Sequence, residues 1–229
     1  MVLTGSSSNH VSEVVLASDN IPPYVYLDAN QEITGTLVTT LSKIFIQADV
    51  SHKFKYMPWN RSMSETLNKR NVLMYPLART AEREHKFKWV LPLLTMNYRL
   101  YGIKGRFDPD NVDVTGGDYT FVCQETTILC DILSSFGIPD TSIIKRSSIE
   151  IKQYANMLLR GRIDFMVISE EGRDVYTELM EIEPSEMIPL THYNYPVIEY
   201  LAGNKNVDTE LIKKLRQAFE SIEAKNYQK

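Results

Sequence analysis

Two hydrophobic spacings take turns along this chain, and their alternation constrains its fold more than any other feature of the sequence. Segments 13–17 and 52–56 have the short apolar or alternating pattern of a strand, whereas 37–48 and 211–222 repeat apolar side chains every three or four residues, as helices do. The first strand, the first helix and the second strand follow one another as a βαβ unit would. The alternation therefore predicts an α/β fold.

Several element boundaries can be predicted from residues that start or end helices. Ser62 and Glu65 have the spacing of a capping box, which predicts a helix near 61–69. Asp208 precedes the terminal helix and is expected to cap it. Two further strand patterns lie at 98–103 and 197–202.

Length, charge and hydropathy exclude several classes of protein. The 229 residues, 43% of them hydrophobic, fit one large domain or two lobes of about 100 residues each. The net charge of −4 argues against nucleic acid or an anionic membrane surface as a partner. Charged residues interrupt every apolar stretch before it reaches the roughly 18 residues that a membrane span needs, so we expect no direct membrane insertion.

The N-terminal segment 1–10 does not resemble a signal peptide, because it lacks both a basic start and an apolar core. We expect it to be a leader or an expression scar. A scar is consistent with an export signal that has been cut away. The N-terminus therefore leaves the compartment open.

The two cysteines are too few for a disulfide scaffold or for a zinc site made of four thiolates. Cys123 and Cys130 fit two alternatives. They are either free, partly buried thiols, or a local disulfide in which Cys123 ends a strand and Cys130 lies in the first turns of the next helix. Two positions seven apart on one helix would be about 10 Å apart and could not be bridged.

Motifs for catalysis and for cofactor binding are missing from the sequence. It contains no nucleophile elbow, no phosphate-binding loop, no zinc-protease motif and no dinucleotide fingerprint. The four histidines are scattered along the chain. We therefore expect no catalytic residue, no metal ion and no cofactor.

A series of short segments in a fixed order resembles one protein family. The first half contains IPPYVY, YMPW, YPLARTAER, FKWVLPL and RLYGI, and the second half contains FVCQETT, LLRGRIDFMV and DTELIKKLRQAFESI. Together they resemble the family-3 bacterial extracellular solute-binding proteins, the amino-acid-binding type of periplasmic binding protein, over about residues 13–227. The resemblance implies a two-lobed Venus-flytrap architecture in which each lobe is a mixed sheet flanked by helices. Lobe 1 would comprise 11–100 and 197–229, lobe 2 would comprise 101–196, and a small ligand would bind between them.

Arg83 is the site residue that the resemblance implies most specifically. The segment from Thr80 to Arg83 matches the family element whose arginine holds the carboxylate of the ligand, and a guanidinium suits that task because it offers two parallel hydrogen bonds. The alternative is a surface arginine paired with Glu82 or Glu84. Ala78 stands where the family carries small polar residues, so only its backbone would contact the ligand.

Other candidate ligand contacts lie on loops that the family places around the cleft. Thr126 and Thr127 begin a helix, where free amides favour an anion. The remaining candidates follow strands of either lobe, and they are Asp19, Tyr24, Trp59, Arg61, Ser169 and Glu170.

Departures from the family pattern bear on the ligand. Ser169 stands where the family places an aspartate for the α-ammonium group, with Glu170 and Glu171 directly after it, and Glu125 replaces a glycine. We therefore expect a small carboxylate-bearing ligand, either an amino acid or a related metabolite without a standard α-ammonium group.

The resemblance also implies a place and a role for the protein. We expect a periplasmic monomer that serves ABC-type uptake or sensing, with an ABC transporter permease or a membrane sensor as its partner. Two alternatives stay open. One is an enzyme similar to cyclohexadienyl dehydratase, with Glu170 or Glu171 as its cleft carboxylate, and the other is the ligand-sensing domain of a receptor.

Overall fold

The computed structural model describes residues 13–226, so the predicted leader at 1–10 lies outside the described residues. The predicted α/β fold is confirmed. The strands of this part are β1 (Val14–Ser18), β2 (Tyr26–Leu27), β3 (Ile33–Thr34), β4 (His52–Tyr56), β5 (Val72–Ala78), β6 (Phe87–Ile103), β7 (Phe121–Gln124), β8 (Ile143–Arg146), β9 (Met166–Ser169) and β10 (Met187–Asn204). Its α-helices are α1 (Thr36–Gln47), α2 (Trp59–Asn68), α3 (Ile128–Ser135), α4 (Ile151–Leu159), α5 (Arg173–Met180) and α6 (Thr209–Asn226). None of the helices described is both long and apolar enough to cross a membrane.

The first lobe is built on the sheet order β4-β1-β5-β10-β6. β1 pairs in parallel with β4 and with β5, whereas β10 runs antiparallel to β5 and β6. Helices α1 and α6 contribute Leu41, Phe45 and Leu215 to the core that forms against this sheet. The βαβ unit predicted from the first three segments is thus confirmed as β1, α1 and β4.

Two long strands connect the lobes. β6 and β10 pair with each other over most of their length, and residues 98–101 of β6 also pair with β9 in the second lobe. The ladder between β6 and β10 is interrupted between Pro189 and Asn194. Both strands begin well before the predicted strands at 98–103 and 197–202. The first half of β6 is largely apolar on both faces and gives no clear period of two, whereas the first half of β10 contains Pro189 and the exposed residues Thr191 and His192. The lobe boundaries at 100/101 and 196/197 fall on these strands and stay predictions.

The second lobe packs α3, α4 and α5 around β9 and the parallel pair β7–β8. Phe165 stands at the centre of one of its cores, with the rings of Phe107, Tyr119 and Phe121 within 4.9 to 5.9 Å of its own ring centroid. Each lobe therefore has its own hydrophobic core, and the cleft lies between the two.

The predicted helix caps have different outcomes. The capping box is wrong, because α2 begins at Trp59 and Ser62 lies inside the helix, where its hydroxyl donates to the carbonyl of Met57 at 3.2 Å. The cap of α6 is confirmed, since Oδ1 of Asp208 accepts from the amide of Glu210 at 3.0 Å.

Cys123 and Cys130 form a disulfide, with their Cα atoms 5.3 Å apart. Cys123 belongs to β7 and Cys130 to the first turn of α3, so the second of the two alternatives is correct. The bond closes the loop that carries Thr126 and Thr127. That loop faces the first lobe, and its geometry is therefore fixed covalently at the edge of the cleft.

Candidate ligand-binding site

A cavity of about 520 Å³ lies between the two lobes. It is bordered by residues at the carboxyl ends of β1, β4 and β5 in the first lobe and of β7 and β9 in the second. Loops and helix starts at these strand ends present backbone groups and short side chains, which is why ligands of α/β proteins bind there. The two lobes thus build one site together.

Of the eleven ligand contacts predicted from the sequence, some border this cavity and others do not. The residues that border it are Asp19, Trp59, Ala78, Thr127 and Ser169. The residues that lie outside its lining are Tyr24, Arg61, Thr80, Arg83, Thr126 and Glu170. The second set includes three residues that instead join the lobes, namely Tyr24, Arg83 and Thr126.

Asp19 holds two walls of the cavity in place. Its Oδ1 accepts from the amide of Asn20 at 2.7 Å, and its Oδ2 accepts from the amide of Trp59 at 2.8 Å. The second bond caps the start of α2, which has no capping side chain of its own. Asp19 therefore ties the backbone at the start of α2 to the loop after β1.

Arg83 is buried, with 5% of its surface exposed, and its guanidinium binds two backbone carbonyls. Nη1 donates to Ala78 at 2.9 Å, and Nη2 donates to Thr126 of the other lobe at 2.7 Å. The guanidinium carbon lies 5.6 Å from the centroid of the Trp59 ring. Burial lowers the pKa of Arg83, and the field of Glu199 opposes that change.

The alternative of a surface ion pair for Arg83 is wrong. Glu84 binds Arg79 through two hydrogen bonds of 2.8 and 2.6 Å. Glu82 binds Lys86 at 2.5 Å. Both acidic neighbours are therefore occupied by other cations, and Arg83 turns inward toward the cleft. Thr80 begins the turn that carries Arg83, and its Oγ1 accepts from the Arg83 amide at 3.4 Å. Arg61 is exposed on α2.

Thr126 receives two donors from the first lobe at its carbonyl oxygen. Besides Arg83, the indole Nε1 of Trp59 donates to it at 3.2 Å. Thr126 has a φ of 64°, in the left-handed region that threonine rarely adopts, and this conformation turns the carbonyl toward the other lobe. The loop after β7 is therefore shaped for contact across the cleft.

Further hydrogen bonds join the lobes, and in one of them Oγ1 of Thr126 donates to Oδ1 of Asn60 at 3.1 Å. The Tyr24 hydroxyl donates to Oε2 of Glu171 at 2.7 Å. Nδ2 of Asn60 donates to the carbonyl of Ser147 at 3.0 Å. Together with the Thr126 contacts, these bonds describe a closed arrangement of the lobes over the cavity.

Thr127 caps α3, since its Oγ1 accepts from the amide of Leu129 at 3.3 Å and donates to the carbonyl of Gln124 at 2.7 Å. Thr127, Ile128 and Leu129 all border the cavity, so the start of α3 faces the space between the lobes. A helix start of this kind offers backbone amides to a negative group of a ligand.

The acidic pair after β9 does not face the cavity. Glu170 forms an ion pair with Arg99 at 2.6 Å, and Glu171 accepts from Tyr24. Ser169 does border the cavity, and its hydroxyl accepts from the amide of Gly172 at 3.2 Å. Neither glutamate is placed to act on a molecule inside the cavity.

Glu199 is a cavity residue that the sequence analysis missed. It lies on β10 with 2% of its surface exposed, borders the cavity, and accepts from the Tyr98 hydroxyl at 3.3 Å. Burial raises its pKa to about 7, against the opposing effects of Arg83 and Tyr98. The signal was present, because a glutamate stands at an inward position of the apolar strand pattern in VIEYLA.

The rest of the lining is largely apolar and aromatic, with Ile21, Met96, Ile149 and Ile168 among its aliphatic members. Five aromatic side chains contribute to the wall, and they are Tyr56, Trp59, Tyr98, Tyr154 and Tyr176. Such a lining favours a small molecule with an apolar body and few polar groups.

Comparisons with known proteins agree with this architecture. A family model described as bacterial extracellular solute-binding proteins, family 3, matches residues 14–229. Among solved structures, the arginine-, lysine-, histidine-binding protein ArtJ from Geobacillus stearothermophilus is similar, with 17% identity, a TM-score of 0.79, and coverage of 94% of this chain and 91% of that chain. No sequence of a curated protein matches the chain significantly.

Two other solved structures are relevant to the alternatives. A histidine kinase sensor domain with similarity to periplasmic binding proteins has 14% identity and a TM-score of 0.80, and the match covers 94% of this chain and 92% of that chain. The ancestral amino-acid-binding protein AncCDT-1, a precursor of cyclohexadienyl dehydratase, has 17% identity and a TM-score of 0.76, with coverage of 93% and 89%. At these identities the likeness concerns the two-lobed fold.

Proposed function

This chain belongs to family 3 of the bacterial extracellular solute-binding proteins, and we propose that it captures a small carboxylate-bearing solute, an amino acid or a related metabolite, by closing its lobes. The observation that carries the proposal is the cavity of about 520 Å³ to which both lobes contribute. Hydrogen bonds from Tyr24, Asn60 and Arg83 to the second lobe hold it shut. A ligand that fills the cavity would add contacts on both sides and stabilise this closed state.

Arg83 is the proposed anchor for the carboxylate. Its Nη2 now donates to the Thr126 carbonyl, and a carboxylate would be a stronger acceptor because it carries a full charge. Ala78 and Thr127 border the cavity on either side of this point, so a ligand oxygen near Arg83 would also meet the start of α3. The ligand carboxylate would then replace the Thr126 carbonyl as the hydrogen-bond partner of Arg83.

The proposed setting is the periplasm, with the protein acting as a monomer for ABC-type uptake or for sensing. The family membership and the likeness to ArtJ support the uptake role. The likeness to a histidine kinase sensor domain supports the sensing role. In the uptake role a transporter permease would recognise the closed state, and in the sensing role a membrane sensor would do so.

We propose binding rather than catalysis. The dehydratase alternative relied on Glu170 or Glu171 in the cleft, and these side chains instead bind Arg99 and Tyr24. The likeness to AncCDT-1 supports the same conclusion, because that protein is described as amino-acid-binding.

A thermal-shift screen tests the proposal. Amino acids, dicarboxylates, amines and peptidoglycan fragments would be screened, and we expect a carboxylate-bearing compound to raise the melting temperature. Arg83→Ala should abolish that rise, whereas Arg70→Ala, which removes an exposed arginine away from the cavity, should keep it. Undiminished affinity in a folded Arg83→Ala variant would rule out the anchor, and turnover of a bound compound would rule out a binding-only role.

A further inference from the structure

The buried carboxyl of Glu199 points to a second polar group in the ligand. We propose that Glu199 receives a cationic group of the solute, so that the carboxylate-bearing ligand is a zwitterion whose positive end lies against the strands that join the lobes. This inference rests on the proposed function, since it assigns a specificity-determining residue to the same cavity.

Glu199 has fewer partners than a buried carboxyl normally requires. Within the described part of the chain, its one hydrogen bond comes from the Tyr98 hydroxyl at 3.3 Å. That hydroxyl is also 3.3 Å from Sδ of Met96, and its single proton can serve only one of them at a time. Leaving a carboxylate buried without a cation is costly. A ligand cation would remove this cost.

The strand around Glu199 directs the side chain into the cavity. Glu199 is paired with Ala78 on β5 and with Leu94 on β6. The register of the β6 ladder shifts directly after it, where Tyr200 pairs with Pro92, a residue that has no amide hydrogen to donate. Such shifts re-aim side chains next to functional sites. Ala78, the neighbour of Glu199 on β5, also borders the cavity and contributes only a methyl side chain there.

No protein cation within the described residues forms an ion pair with Glu199. The charged and titratable groups that reach it are Arg83 from the turn after β5, Tyr98 from β6 and Tyr24 from the loop after β1. Arg83 directs its hydrogen bonds to the carbonyls of Ala78 and Thr126. Arg83 therefore affects Glu199 through the electrostatic field of its charge and not through a hydrogen bond.

The charged side chains that border the cavity are mostly acidic, which favours a cation as the partner of Glu199. Three carboxyl groups border the cavity, from Asp19, Glu150 and Glu199, against the single ammonium group of Lys152. Lys152 is exposed on α4, whereas Glu199 is buried. The Tyr98 and Tyr56 rings border the same cavity, and aromatic faces attract cations.

The position of Glu199 explains how the chain manages without an acidic residue at 169. The hydroxyl of Ser169 accepts a hydrogen bond from the amide of Gly172, and it carries no charge that could attract a ligand cation. The carboxyl that attracts the cation lies instead on β10, in a strand that both lobes share. An ammonium group at this point would lie on the opposite wall from the one implied by the resemblance.

Proton linkage should accompany the binding of a cation. Burial raises the pKa of Glu199 to about 7, so the carboxyl is largely protonated below that pH and must release its proton to accept a cation. Affinity for a cationic ligand should therefore fall as the pH falls through 7, by up to about tenfold per pH unit. Affinity for a matched anion should not show this loss.

Two sets of matched probes test the proposal by calorimetry at pH 8. The first set is phenylalanine, 2-phenylethylamine and 3-phenylpropanoate, and the second is leucine, 3-methylbutylamine and 4-methylpentanoate. Within a set the body is constant and only the charged groups change. We expect the zwitterion to bind at least tenfold more tightly than the matched acid in one set or both.

Variants of Glu199 separate its charge from its shape. Glu199→Gln should reduce the preference for the zwitterion over the acid to less than threefold, and Glu199→Asp should keep more of it. Glu178→Gln, which changes an exposed carboxyl on α5, should leave the preference as it is. Circular dichroism and thermal unfolding would establish that each variant is folded.

The outcomes distinguish this proposal from the proposed function. If the acids bind as tightly as the zwitterions and the amines, or if Glu199→Gln keeps the preference, Glu199 does not receive a cation, although the protein still captures carboxylates. If no probe of either set binds, both proposals are contradicted for solutes of these classes.

Discussion

Nη2 of Arg83 lies 2.7 Å from the main-chain carbonyl oxygen of Thr126, so the residue proposed to hold the ligand also joins the two lobes. Under the proposed function, this relationship would link ligand binding to the contacts between the lobes, because a carboxylate that reaches Arg83 would compete with a hydrogen bond across the cleft. The same carbonyl accepts from Trp59 at 3.2 Å, which can keep the loop after β7 in place while Arg83 changes partner.

Removing the Tyr24 hydroxyl should loosen the closed state. In Tyr24→Phe the hydrogen bond of 2.7 Å to Glu171 is lost, while the buried ring stays. We expect the closed state to lose about 1 kcal/mol relative to the open state, the usual worth of one hydrogen bond. Small-angle X-ray scattering would detect this as a larger radius of gyration.

Tyr26→Phe provides the matched control for that change. Tyr26 lies on the short strand β2, two residues along the chain, and its hydroxyl makes none of the hydrogen bonds that join the lobes. An equal expansion in both variants would mean that the Tyr24–Glu171 bond does not hold the lobes together.

Glu199 should make the stability of the protein fall as the pH rises. Its carboxyl has a pKa of about 7 when folded and an ordinary pKa near 4.3 when unfolded. Its contribution to the free energy of unfolding is therefore fully present below about pH 4.3 and is lost as the pH rises through 7. The loss should be on the order of 4 kcal/mol, because one pKa unit corresponds to about 1.4 kcal/mol.

Urea unfolding of the protein and of Glu199→Gln between pH 5 and 8 would measure this loss. Other groups titrate in both proteins, so the difference between the two curves isolates Glu199. The free energy of unfolding of Glu199→Gln should rise relative to that of the unsubstituted protein as the pH rises. A difference that stays constant over this range would show that the Glu199 pKa is not raised by folding.

The Cys123–Cys130 disulfide should stabilise both the second lobe and the site. Replacing both cysteines by alanine removes a link over seven residues of separation, which is expected to cost about 2–3 kcal/mol through the entropy of the unfolded chain. Ligand affinity should also fall, since the bond constrains the loop that carries Thr126 and Thr127. Urea unfolding with and without a reductant would measure the first effect.

The double alanine variant is the control in that experiment, because it has no disulfide for the reductant to break. A reductant should destabilise the protein but leave the variant unchanged. Equal stability of the protein with and without reductant would mean that the bond contributes nothing to the folded state.

The sequence was enough to predict the fold but only part of the site. Strand β4 and helix α1 were predicted within one residue of their bounds, because a period of two and a period near 3.6 are properties of local sequence. The first half of β6 was missed, since apolar residues on both faces of a strand leave no alternation to detect. The first half of β10 was missed because Pro189, Thr191 and His192 interrupt its apolar pattern. The capping box at Ser62 failed because α2 is capped from a distance by Asp19.

The positions of the site residues depend on long-range contacts that local pattern does not contain. Nothing near Arg83 in sequence indicates that its guanidinium meets Thr126, which is 43 residues away. Likewise, the partner of Tyr24 is 147 residues away. Glu199 did leave a local signal, a charge at an inward strand position, but only the tertiary structure shows that this position faces a cavity.

The measurement that most directly tests solute capture by lobe closure is the distance between spin labels on the two lobes. Labels at Ser64→Cys on α2 and Gln153→Cys on α4 would sit on exposed positions of opposite lobes. With the tightest-binding of the six probes, the distance distribution should become shorter and narrower, and Arg83→Ala should prevent the change. A distribution that is the same with and without a probe that calorimetry shows to be bound would contradict capture by closure.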